Sequence, residues 1–171
     1  MRDKTKAMEE LYLASREKIY NFLLKYTQSE EIAQDLMQDT FLSFFKNYSD
    51  ADLSAEKSLM LLYTIARNNS INYAKKFSTK KESSLDMKMY ESGATSFEKK
   101  EELKDMEMQL YKCLELLSED QRTAILLKNV DDLTLAQISE IMKISISTAS
   151  RLVVKATASL IEIATQRGIL P

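Results

Sequence analysis

Apolar residues recur at three- and four-residue spacing along most of this chain, and the period breaks over one long stretch near its middle. Residues 7 to 26 carry Leu11, Ile19, Phe22, Leu23 and Tyr26 at helical spacing, which predicts a first helix. A second, over about 29 to 47, opens at Ser29 as N-cap with Glu30 and Glu31 in its first turn, and lines up Met37, Phe41, Phe44 and Tyr48 on one apolar stripe. The third runs from about 55 to 77, with Ser54 ahead of Glu56 and Lys57 as its start signal. Residues 78 to 97, STKKESSLDMKMYESGATSF, are rich in Ser and Thr and hold the first Gly of the chain. This segment is too long and polar for a tight interhelical turn, so it reads as a flexible linker between halves that move relative to each other.

The second half opens with a helix from about 98 to 117, and Ser118-Glu119-Asp120-Gln121 is a start signal for another over 119 to 130. Thr134 caps a short helix, LAQISEIM, a turn follows at Lys143 to Ser145, and Ser147 opens a final helix. Short helix, tight turn and longer helix form the helix-turn-helix plan, whose second helix enters the major groove. Ile138, Ile141, Ile144, Ile146, Leu152, Val153, Ala156 and Leu160 supply the apolar contacts that fix such a pair. The outward face of the last helix offers Ser147, Thr148, Ser150, Arg151 and Lys155, hydroxyls and two cations suited to groove and phosphate contact. Periodicity alone leaves a plain helical hairpin equally open. The expected fold is all-α: two small helical domains, residues 1–77 and 98–171, joined by a linker at 78–97.

Composition agrees with helices and narrows the chemistry. The 171 residues are 44% apolar with two Gly and one Pro. With no His and one Cys, most zinc sites and every Ser-His or Cys-His pair are excluded, and two glycines cannot build a phosphate loop. Glu9-Glu10, Glu30-Glu31 and Asp131-Asp132 fall at predicted helix starts or turns and read as solvated caps, not as an acid-base dyad. We therefore expect no catalytic residue, metal, cofactor or small-molecule substrate. Cys113, among Leu110, Leu114 and Leu117, reads as a buried thiol suited to a reducing cytoplasm. No apolar run approaches the roughly 18 to 20 residues a bilayer needs, and no signal pattern is present, so neither export nor membrane insertion is expected.

The net charge of −2 hides a gradient. From Lys57 to Lys81 there is no acid, while Lys57, Arg67, Lys75, Lys76, Lys80 and Lys81 alternate with Tyr63, Tyr73 and Phe77. A basic stretch bearing aromatics is the footprint of a nucleic-acid site. The competing reading is a solvated helix face with its aromatics in the core.

Against this background the run Asp35-Leu36-Met37-Gln38-Asp39-Thr40-Phe41 resembles the polymerase-binding helix of bacterial RNA polymerase sigma factors, where Asp-Leu-Val-Gln-Glu-Thr-Phe is usual. Tyr63-Thr64-Ile65-Ala66-Arg67-Asn68 is similar to that family's Tyr-Arg-Ile-Ala-Arg-Asn, and Asn72, Tyr73, Lys75 and Lys76 fall where Asp, Arg, Arg and Arg are frequent. In the second half, Gln121-Arg122 followed by Ile125-Leu126-Leu127-Lys128 resembles Gln-Arg-Glu-Val-Leu-Leu-Leu-Arg. Leu133-Thr134 through Ile138, Glu140 and Ile141 resemble Leu-Ser-Tyr-Glu-Glu-Ile-Ala-Glu-Ile. The resemblance covers both halves, and the chain is identified as a member of the sigma-70 family, extracytoplasmic-function group.

The resemblance implies roles residue by residue. Asp35, Leu36, Gln38, Asp39 and Phe41 would dock on core RNA polymerase. The loop from Tyr48 to Glu56 would cup a base flipped from the minus-ten element, at an unstacking cost that only a fitting base repays. Arg67, Asn68, Asn69, Asn72, Tyr73, Lys75 and Lys76 would hold promoter DNA beside it. Ser147, Thr148, Ser150, Arg151 and Lys155 would read the minus-thirty-five element, with Arg122 and Lys128 on phosphates. An anti-sigma factor is a further implied partner, and a sigma-like decoy or adaptor that only captures such a factor is the alternative. The chain departs from the family at Leu61, where Trp is usual, at Lys143, where Gly is, and at Leu152 and Val154, where Arg and His are common. These losses leave two cations on the last helix and would weaken phosphate contact.

Overall fold

The computed structural model describes residues 2–83 and 100–171, and side chains over 3–77 and 104–171. Among these residues every regular element is helical: α1 (Arg2–Thr27), α2 (Glu30–Tyr48), α3 (Ala55–Ser83), α4 (Lys100–Leu114), α5 (Glu119–Ile125), a π-helical turn (Leu126–Val130), α6 (Leu135–Met142) and α7 (Ile146–Gln166). Residues 84–97 of the expected linker lie outside the described residues. α1 begins earlier than its apolar stripe predicts, so Glu9 and Glu10 stand exposed in mid-helix and are not caps.

The first three helices form a bundle in which each packs on the other two. The turn between α1 and α2 closes with Gln28 in the left-handed region, φ 59°. Ser29 then caps α2 by accepting from the Ile32 amide. Ser54 caps α3, its hydroxyl accepting from the Lys57 amide at 3.2 Å. The core holds Ile19, Phe22, Leu23, Phe41, Phe44, Leu62 and Tyr63. Its rings meet edge to face, Phe22 on Tyr63 at 5.7 Å and Tyr12 on Phe41 at 4.9 Å, an arrangement favoured by the ring quadrupoles.

In the second half two reciprocal caps set the element starts. Ser118 and Gln121 exchange side-chain and backbone bonds at the head of α5, and Thr134 and Gln137 do the same for α6. Lys143 closes α6 in the left-handed conformation, φ 56° and ψ 46°, where a β-carbon is crowded. Ser145 caps α7 rather than Ser147: it is extended, and its hydroxyl accepts from the Thr148 amide at 3.1 Å. α6 and α7 meet at 99°, the crossing of a helix-turn-helix.

The single helix expected over 119 to 130 changes register instead. From Leu126 the ladder widens, the Asp131 amide donating to the Leu126 carbonyl at 3.2 Å and the Leu133 amide to that of Leu127 at 3.0 Å. Leu126 and Leu127 are both fully buried here, following buried Thr123, Ala124 and Ile125, and Asp131 just beyond the turn lies beside Tyr63 of the first half.

The two halves are not freely placed, as the linker's composition predicts; they dock. One continuous core joins them, with α6 against α3 and the π turn against α1. The Thr64 hydroxyl, 3.0 Å from the Met60 carbonyl of its own helix, also lies 3.2 Å from the Ile141 carbonyl left open at the end of α6, and shares its one proton between them. Gln137 Nε2 donates to Glu56 Oε1 at 3.3 Å, and Arg67 Nη2 pairs with Asp120 Oδ1 at 2.5 Å.

Two substitutions test the local physics of the α6 ends. Thr134→Ala removes the cap and should cost about 1 kcal/mol. Lys143→Gly relieves the left-handed strain, and after the entropy of a freer unfolded chain should stabilise by about 0.5 kcal/mol. Urea unfolding of the three proteins measures both; a Lys143→Gly variant less stable than the parent would contradict the strain argument.

Candidate polymerase-docking and nucleic-acid surfaces

α2 buries Ala33, Leu36, Thr40, Phe41 and Phe44 and so turns the opposite face outward. On that face Glu31, Asp35 and Asp39 stand four residues apart in one row, flanked by Gln34 and Gln38. Like charges at this spacing destabilise a helix by a few tenths of a kcal/mol per pair. Neither Asp35 nor Asp39 is paired with a cation among the described residues. Such a row, on a helix anchored by aromatics, makes this face a candidate partner surface. Leu36 and Phe41, which the resemblance implies touch polymerase, lie under the ridge at 7% and 4% exposure. They seat the helix and do not offer its surface. Sequence reasoning passed over Leu42, 67% exposed at the end of the Gln34 and Gln38 row. Its signal was there: it falls four residues after Gln38, on the polar face.

The candidate DNA residues of α3 separate by face. Asn68, Asn72, Lys75 and Lys76 share one exposed stripe. Asn69 is half-buried and its amide donates to Thr40 Oγ1 at 3.3 Å, tying α3 to α2. Tyr73 is half-buried and stacks on Phe77, centroids 6.2 Å apart and planes 16° apart, with Phe77 48% exposed. A stacked pair with one open ring beside two lysines is a platform for unpaired bases. Phe77 thereby joins the candidate set. Arg67 turns away from this stripe to Asp120. Between α2 and α3, the loop expected to cup a base holds Asp50, and Lys4 pairs with its carboxylate and keeps its pKa below the usual range.

On α7, Ser147, Thr148, Arg151 and Lys155 are exposed, while Ser150 is half-buried. Ser145 Oγ donates to Thr148 Oγ1 at 2.7 Å, so the Thr148 hydroxyl helps to hold the cap. Of the two departures from the family's cations, Leu152 packs against the core and only Val154 stands outward, 67% exposed. Arg122 does not project to solvent as a phosphate contact requires. Its Nε and Nη2 donate to the carbonyls of Leu114 (2.9 Å) and Glu115 (3.0 Å), closing the end of α4, and its guanidinium lies 4.9 Å from the Tyr26 ring. Lys128 is half-buried in the π turn.

The seam between the halves has its own electrostatics. Among the described residues three buried side-chain polar atoms have no hydrogen-bond partner, Tyr26 Oη, Arg67 Nε and Asp131 Oδ2, and all three lie there. Each such atom costs about 1–3 kcal/mol. Asp131, expected to be a solvated cap, is pushed up to about 6 by burial, partly opposed by Lys25, the Tyr63 hydroxyl and Lys18. Burial beside this carboxylate also raises Tyr63 above the usual phenol range. A carboxyl whose pKa is higher folded than unfolded favours the fold while protonated, and that benefit disappears as pH climbs from about 4 through about 6. Asp131→Asn should therefore stabilise the protein at pH 7 to 8 by on the order of 1 kcal/mol, discounted for partial exposure, and leave it unchanged near pH 4. Urea unfolding of both proteins across that range is the check; an equal difference at every pH would remove Asp131 as the titrating group.

Among the described residues no group of three or more His, Cys, Asp or Glu side chains could hold a metal ion, and no single helix is long and apolar enough to cross a membrane. Residues 11–79 match the Sigma-70 region 2 family and residues 107–160 the Sigma-70, region 4 family. The chain is 28% identical over 140 residues to the extracytoplasmic-function RNA polymerase sigma factor SigM of Bacillus subtilis (strain 168), covering 81% of this chain and 83% of that protein. Its fold is similar to the sigma factor RpoE of Bartonella quintana, solved in complex with the anti-sigma factor NepR, at TM-score 0.68 and 20% identity over 94% of this chain and 98% of that one. An outward acidic ridge on α2, a basic and aromatic stripe on α3 and a helix-turn-helix in the second half thus coincide with matched regions 2 and 4, and the chain belongs to the sigma-70 family of RNA polymerase sigma factors, extracytoplasmic-function group.

Proposed function

We propose that this protein binds core RNA polymerase and directs initiation at a specific set of promoters, with Asp35, Gln38 and Asp39 as its polymerase contacts and Leu42 as an apolar end to the ridge. The observation that carries this reading is the row of like charges on α2, presented outward by a core that buries Leu36 and Phe41 beneath it. The protein contributes recognition and no catalytic group. Asn68, Asn72, Lys75 and Lys76, with Tyr73 and Phe77, take the melted minus-ten strand, the lysines on phosphates and the rings on bases. Ser147, Thr148, Arg151 and Lys155 take the minus-thirty-five duplex. Each face is weak alone, and polymerase joins them at high effective concentration. This work is done in the cytoplasm, where polymerase is. Capture by an anti-sigma factor is the regulatory partner that fits, by analogy with the complex of the Bartonella relative.

One observation favours the decoy or adaptor reading: Arg151 and Lys155 are the two cations on α7, with Val154 between them. Transcription separates the readings. Fragmented genomic DNA transcribed by core polymerase should give discrete new start sites, sharing upstream elements, only when the protein is present. Asp39→Arg should reduce binding to polymerase by tenfold or more, an estimate from the cost of placing a like charge at a charged interface, with the helical signal unchanged. A folded Asp39→Arg protein that binds as well as the parent refutes the ridge assignment. For α7, Arg151→Ala should lower holoenzyme affinity for promoter duplex and reduce the slope of log affinity against log salt by about 1. An unchanged slope places Arg151 off the phosphates.

A further inference from the structure

We propose that Ile146 and Val154 select thymine in the minus-thirty-five element, each packing on the methyl group of one thymine in the major groove. The inference rests on the function proposed above and gives its α7 surface a specificity that the hydroxyls and cations there do not supply. Sequence periodicity places Ile146 among the residues that hold α6 and α7 together. The structure instead leaves it 55% exposed at the first position of α7, and Val154 is 67% exposed. Neither joins the core.

Residues four apart on a helix stand in one row, and α7 carries two such rows side by side. Ser147, Arg151 and Lys155 form a polar row, the one assigned above to the promoter duplex. Ile146, Ser150 and Val154 form its neighbour, about 100° round the helix. Ser150 is half-buried, so this second row is open at its two apolar ends. A helix that lies in the major groove with the polar row on phosphates and base edges brings the second row against bases as well.

The chemistry of the groove decides what such ends can recognise. Among the groups that distinguish base pairs there, the thymine methyl is the apolar one, and the rest are hydrogen-bond donors or acceptors. Ile and Val cannot replace the water they would displace from a donor or acceptor, so other base edges beneath them are left unpaired, whereas a methyl only sheds apolar surface. Both side chains are β-branched and held to one main rotamer in a helix, so contact costs them little freedom. They stand about 12 Å apart along the axis, or roughly three to four base-pair steps, which requires two separate thymines. The contact carries no charge, releases no counterion and leaves the salt dependence to Arg151 and Lys155.

The test uses holoenzyme on a promoter whose start site has been mapped with it. Each thymine of the minus-thirty-five element, on either strand, is replaced in turn by deoxyuridine, which removes the methyl and keeps every hydrogen-bonding atom. Affinity should fall about three- to fivefold at two positions, the worth of one buried methyl at each, and hold at the others. Val154→Ala should bind the parent promoter more weakly by the same factor, become indifferent to deoxyuridine at one of the two positions, and keep the parent's slope of log affinity against log salt. Ile146→Ala should do so at the other position, and both variants should keep the helical signal. No position sensitive to the methyl, or a sensitivity that persists in both alanine variants, overturns the inference, as does an element made of G·C pairs alone. Promoter-specific transcription that ignores the methyls defeats this inference and leaves the sigma-factor reading standing. Absence of such transcription from the unmodified protein defeats that reading and this inference with it.

Discussion

Helix α3 is gripped from two sides, and the rest of the molecule follows from that. One face sends Leu62, Tyr63 and Ala66 into the bundle core, where Tyr63 meets Phe22 edge to face. A second face, through Glu56, Thr64 and Arg67, meets α5 and α6 of the second half by hydrogen bonds and an ion pair. Along its C-terminal half a stripe of Asn68, Asn72, Lys75 and Lys76 remains toward solvent, with the Phe77 ring beside it. The exposed candidate residues on this helix are those that neither contact has claimed.

The same division governs α2 and α7. Phe41 and Phe44 anchor α2 so firmly that its outer face can carry Glu31, Asp35 and Asp39 in a repelling row. Ala149, Leu152, Val153 and Ala156 anchor α7 on α5 and α6, and the crossing angle, set by the left-handed turn at Lys143 and the cap at Ser145, points the hydroxyls and cations outward. In both helices a small local cost, like charge in one and left-handed strain in the other, is outweighed by burial of large apolar side chains.

The seam between the halves is less complete than either core. It buries Tyr26, Arg67 and Asp131 with polar atoms left over, and it holds a carboxyl whose pKa is raised to about 6 by desolvation. Asp131 enters the seam directly after the π turn at Leu126–Val130.

The sequence by itself determined the all-α class, the two halves, the caps at Ser29, Ser54, Ser118 and Thr134, and the outward row on α2, because helical period and capping are local and repeat every turn. The exposure of Asp35, Gln38, Asp39, Arg151 and Lys155 was legible for the same reason, since it follows from spacing on a regular helix. Tertiary structure decided what spacing cannot encode. Leu36 and Phe41 went inside although the resemblance counts them among the docking residues, Arg122 closed the end of α4, Arg67 turned to Asp120, and Asp131 was desolvated against Tyr63. Each of these depends on which distant surface arrives opposite the residue. A side chain reads as solvated until a second helix, far along the chain, removes the water.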